Sequence, residues 1–90
     1  MDKVINYFGI DISKDVFDVV DSAGNHHQFT NNYKGFKKLL KQLDEQAHCV
    51  MEATGYYHYK LAYFLVEKNI RVSIENPLSV KRLLYIRKHP

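Results

Sequence analysis

The chain has 90 residues, 46% of them hydrophobic and 26% charged, which suits one small domain with a single core and excludes a disordered or low-complexity protein. No apolar run approaches the ~20 residues of a membrane span, and no secretory leader opens the chain. The formal charge of +3 is unevenly spread: residues 1–76 hold nine Lys/Arg against ten Asp/Glu, whereas residues 77–90 hold Lys81, Arg82, Arg87 and Lys88 and no acid.

In chain order, residues 4–12 and 16–21 are apolar and β-branched and read as strands joined by Ser13-Lys14-Asp15. Ser22-Ala23-Gly24-Asn25 then turns the chain into His26-His27-Gln28-Phe29-Thr30, which completes an antiparallel meander. The period changes next. Phe36, Leu39, Leu40 and Leu43 recur at helical spacing with lysines between them, and Asn31 or Asn32 stands where a cap is needed. Residues 47–53 form a fourth strand whose nearly continuous apolar character predicts burial on both faces. Its Cys49, the one cysteine, has no intrachain disulfide partner, and a reducing, cytoplasmic setting is expected. Tyr57, Leu61, Phe64 and Leu65 predict a second helix after Thr54-Gly55, with Asn69 as its stop and the alternating Ile70-Arg71-Val72-Ser73-Ile74 as a fifth strand parallel to the fourth. Asn76-Pro77 opens a third helix with Val80, Leu83 and Leu84 as its apolar side.

The order βββαβαβ(α), an antiparallel meander followed by right-handed parallel crossovers, is that of an RNase H-like α/β mixed sheet. In it strand 1 lies beside strand 4. Asp11 stands within the first apolar run and Glu52 at the end of the fourth, so the fold brings two acids together at neighbouring strand ends ~4.8 Å apart. A carboxylate in a buried strand is costly and asks for a partner, and a shared divalent ion answers for both. Oxygen ligands at ~2.0–2.1 Å suit Mg²⁺, with Mn²⁺ as a substitute. The neighbouring polar residues have plainer explanations. Asp15 and Asp18 suit a solvated hairpin face, and His26-His27 point to opposite faces. Tyr56, Tyr57, Tyr59 and Tyr63 suit packing and helix surface.

Three blocks in order, Gly9-Ile10-Asp11-Ile12-Ser13-Lys14-Asp15-Val16-Phe17-Asp18-Val19, Glu52-Ala53-Thr54-Gly55-Tyr56-Tyr57 and Asn76-Pro77-Leu78-Ser79-Val80-Lys81-Arg82, span nearly the whole chain. Together they resemble the start of the DEDD-type bacterial insertion-sequence transposases, the insertion-sequence one-ten family, which is related to the Piv DNA invertases. The resemblance implies a RuvC-like catalytic domain in which a DEDD tetrad binds Mg²⁺ and supports DNA cleavage and rejoining, that is, transposition and recombination. Asp11 corresponds to the first acid and Glu52 to the second. The other two acids and a separate serine-bearing domain have no counterpart in these residues. The expectation is therefore a single truncated N-terminal domain over 1–90 that does not cut DNA alone. The family also implies DNA and an element-encoded guide RNA as partners and a homo-oligomer. Lys14, Lys81, Arg82, Arg87 and Lys88 are the candidate phosphate contacts. Two alternatives stay open. One is an actin- or sugar-kinase-like nucleotide-binding lobe; the other is a non-catalytic nucleic-acid-binding or assembly module.

Overall fold

The computed structural model describes residues 4–52 and 55–75. The strands are β1 (Asn6–Ile12), β2 (Val16–Val20), β3 (His26–Thr30), β4 (Ala47–Glu52) and β5 (Arg71–Glu75), with helix α1 (Tyr33–Leu40) between β3 and β4 and helix α2 (Tyr59–Glu67) between β4 and β5. They form one sheet in the order β3-β2-β1-β4-β5. β2 runs antiparallel to both its neighbours, and β4 is parallel to both β1 and β5. This mixed five-stranded sheet is the RNase H-like arrangement expected from the element order. The third helix expected from Asn76-Pro77 lies outside the described residues.

Pleating sorts the side chains. Phe8, Ile10 and Ile12 of β1, Phe17 and Val19 of β2, and Cys49 and Met51 of β4 all enter one core. Leu39 of α1 and Leu61 and Leu65 of α2 close it from above, each fully buried. The two helices meet through aromatic rings: Phe64 lies edge-on to Tyr33 and tilted against Phe36, each with centroids 5.6 Å apart. Cys49 packs here as a small hydrophobe, its thiol pushed up to about 12 by burial. Val50, which points away from the helices, is also buried, so β4 is covered on both sides as its apolar run predicts.

Helix ends follow from identifiable groups. The Asn32 side chain accepts from the Gly35 backbone N–H at 3.0 Å and caps α1. That helix ends at Leu40, earlier than the apolar spacing predicts. The chain continues in tighter turns, with Gln42 N–H donating to the Leu39 carbonyl at 2.8 Å and Leu43 N–H to the Leu40 carbonyl at 3.1 Å, so Leu43 still reaches the core. α2 begins at Tyr59 and leaves Tyr57 exposed in the preceding turn. Its end is a Schellman motif: Asn69 takes φ 63°, its N–H donates to Val66, and Ile70 N–H donates to Leu65, both at 3.0 Å.

One expectation is corrected. Asp11 is not buried; it is exposed, while Ile10 and Ile12 beside it are buried. The apolar run around it overstated burial because Tyr7 and Gly9 share its face, away from α1 and α2, and only the alternate residues build the core.

Gly35 has a different constraint. A Cβ there would collide with the Thr30 backbone carbonyl, so α1 can lie this close to the end of β3 only without a side chain at that position. Gly35→Ala is expected to destabilise the domain by about 1–3 kcal/mol through overpacking, read as a lowered chemical-denaturation midpoint. An unchanged midpoint would show that the helix start can move aside.

Candidate metal centre

β1 and β4 pair in parallel from Asn6–Ala47 to Ile10–Met51. The next residues on the two strands are Asp11 and Glu52. Cβ alternation sends both to the face away from the helices, because Ile10 and Met51 point into the core. Asp11 is exposed and Glu52 half-buried. The fold thus brings together the two acids that the sequence singles out.

The same face carries two more carboxylates. Asp18 lies directly opposite Asp11 on β2, and Glu75 lies directly opposite Glu52 on β5. Gln28 extends the row on β3, donating through Nε2 to Asp18 Oδ1 at 3.0 Å. Like charges placed directly across a ladder repel, and four carboxylates in one transverse row make this strip strongly attractive to a cation. The donors are hard oxygens, the chemistry that Mg²⁺ takes. Among the described residues no three His, Cys, Asp or Glu side chains are arranged as a ready-made metal cage. The pair Asp11 and Glu52 is the part of a metal centre that this geometry fits.

Other candidates fall in different places. Lys14 is exposed in the β1–β2 turn, at the same sheet end as the acids. Lys81, Arg82, Arg87 and Lys88 lie outside the described residues. His26 and His27 take alternate positions on β3; His27 stacks with Phe29 on the face opposite the acids, and its Nε2 lies 3.4 Å from Asp21 Oδ2. Tyr56, Tyr59 and Tyr63 are exposed.

Two residues carry more than the sequence reading gave them. Asp18 reads there as hairpin surface, yet the register Ile12–Phe17, set by the three-residue connection, places it against Asp11. That signal was present in the spacing. Asn31 reads as a possible helix cap, and Asn32 does that work instead. Asn31 ties loops together, which only the tertiary structure shows.

With this geometry in view, similarity to known proteins becomes informative. Residues 8–89 match the family model for the IS110-type DEDD transposases, described as "Transposase". The chain belongs to that family. It is 40% identical over 83 residues to the pilin gene-inverting protein of Moraxella bovis and 39% identical over 83 residues to that of Moraxella lacunata, in each case over 82% of this chain. It spans about a quarter, 26%, of those relatives' own length. Among solved structures, the Pelota protein of Thermoplasma acidophilum superposes on 80% of this chain and 27% of its own, with a TM-score of 0.49 and 11% identity, too slight a likeness to bear on function.

Asp18→Asn tests the electrostatics of the strip. Without divalent ions and at low salt, it is expected to raise stability by about 0.2–1 kcal/mol by relieving the repulsion across the Asp11–Asp18 pair. The gain should shrink as salt rises, measured by urea denaturation.

Proposed function

We propose that the chain is the RNase H-like N-terminal domain of a transposase or site-specific recombinase that cleaves and rejoins DNA with Mg²⁺, for which Mn²⁺ substitutes. The observation that carries this reading is the placement of Asp11 and Glu52 as neighbours on one face of the sheet, at the end of a parallel ladder. Family membership supports it, as does similarity to proteins named for inverting a pilin gene.

In this reading Asp11 and Glu52 are metal ligands and so catalytic residues. A bound divalent ion would supply charge stabilisation for phosphoryl displacement and a more acidic water. The protein's own contribution is placement: the register carries two carboxylates to one face at adjacent strand positions, and the desolvation cost of Asp11 is small because it faces solvent. Lys14, in the turn that follows Asp11, is suited to hold a substrate phosphate beside the acids. Lys81, Arg82, Arg87 and Lys88 supply further phosphate contacts, whose strength falls as salt rises. An element-encoded guide RNA and assembly into a homo-oligomer belong to the same proposal, on the family resemblance alone.

With only the first two acids of the DEDD pattern, the 90-residue chain is proposed to fold without cutting DNA by itself. The test uses a full-length family transposase carrying this domain. Asp11→Asn and Glu52→Gln are each expected to abolish Mg²⁺-dependent strand cleavage, a loss of at least about 100-fold, while DNA retention at low salt persists. Cleavage that survives either change, or that resists a chelator, would contradict the assignment, as would chelator-sensitive cutting by the isolated chain.

A further inference from the structure

Asp11 and Glu52 are each paired with an outer neighbour. β1 stays paired with β2 through Asp11–Asp18 and Ile12–Phe17, and β4 stays paired with β5 through Glu52–Glu75. Among the described residues the ladder between β1 and β4 runs to Ile10–Met51, one position before the two acids. The segments that leave the two strands beyond this pair therefore bear on the spacing of the two acids.

Asn31 bridges the segments that follow the two acids. Its side-chain Nδ2 donates to the Ser13 carbonyl at 2.9 Å, in the turn after β1, and to the Tyr57 carbonyl at 3.2 Å, in the loop after β4. The Lys14 carbonyl lies at 3.5 Å from the same nitrogen, and the Asn31 backbone N–H donates to the Asp15 carbonyl at 2.8 Å. A primary amide has two hydrogens on one nitrogen, so a single short side chain can serve two loops at once. Asn31 is itself held from both sides. Asn32 Oδ1 accepts from Thr30 Oγ1 at 2.9 Å and from Gly35 N–H at 3.0 Å, and Gly35 permits the close approach of α1 to β3.

We infer that Asn31 is a positioning residue that sets the spacing of Asp11 and Glu52 for a divalent cation, by clamping the β1–β2 turn to the loop after β4. The inference rests on the metal assignment above. Alanine at this position leaves the Ser13 and Tyr57 carbonyls to water and unties the loops. Serine keeps one donor and can tie only one of them. The Tyr57 side chain takes no part, because the clamp holds its main-chain carbonyl.

The experiment titrates MgCl₂ into the full 90-residue chain and follows the backbone amide signals of Asp11 and Glu52 by NMR, with thermal unfolding of each variant measured in parallel. Asn31→Ala is expected to raise the Mg²⁺ midpoint roughly tenfold, the scale on which groups that orient metal ligands act, with Asn31→Ser between it and the parent and Tyr57→Phe unchanged. A destabilised but folded variant that keeps the parental midpoint would make Asn31 merely structural and overturn the inference. Should Asn31→Ala fail to fold, Asn31→Ser decides in the same way. Asp11→Asn separates the two claims. If it abolishes the Mg²⁺ response while Asn31→Ala and Asn31→Ser leave the midpoint alone, the clamp fails and the metal pair stands. If Asp11→Asn changes nothing, the metal reading fails and the clamp with it.

Discussion

Parallel pairing of β1 with β4 is the constraint on which the rest depends. β1 occupies the middle of the sheet, with antiparallel β2 on one side and β4 on the other, and it contributes Phe8, Ile10 and Ile12 to the core. The pairing does two things at once. It buries the alternate residues of both strands under the helices, and it carries the intervening residues to the opposite face, where Asp11 and Glu52 arrive together. A slip of one residue by either strand would turn its carboxylate toward the apolar core, so the hydrophobic pattern that stabilises the sheet also specifies the acid pair.

Crossover handedness explains why the acids share the face that neither α1 nor α2 covers. The connections β3-α1-β4 and β4-α2-β5 both join parallel strands and both progress toward β5, so right-handed crossovers put both helices on the same side. Among the described residues the two sides of the sheet therefore differ in charge. Lys34, Lys37, Lys38 and Lys41 stand exposed along α1 on the helical side, whereas Asp11, Asp18, Glu52 and Glu75 form the row on the other. A net charge of +3 hides this division, and the location of the charges matters more than their sum for where a cation can bind.

Much of this was legible in the residues. Element order and type follow from the change of period at Phe36 and again at Ile70, and the adjacency of strands 1 and 4 follows from the topology. The solvent exposure of Asp11 was not legible, because an apolar run does not reveal that Tyr7 and Gly9 lie on the face the helices leave. Asp18 is the solvated hairpin residue its pattern suggests, and its partner on β1 emerges by counting outward from the hairpin turn. The role of Asn31 was beyond sequence reading altogether. Its bonds join segments separated by 17 to 26 positions, and no local pattern encodes them. The basic positions Lys81, Arg82, Arg87 and Lys88 rest on the sequence alone.

The most direct measurement of the central claim is the location of a bound divalent ion in this chain. Substoichiometric Mn²⁺ added to the isotope-labelled protein broadens amide signals according to their distance from the ion. The account predicts that broadening is strongest at Asp11 and Glu52, weaker along β3, reversed by excess Mg²⁺ and lost in Asp11→Asn. Broadening centred instead on Asp21 and His27, or none that Mg²⁺ competes away, would contradict it.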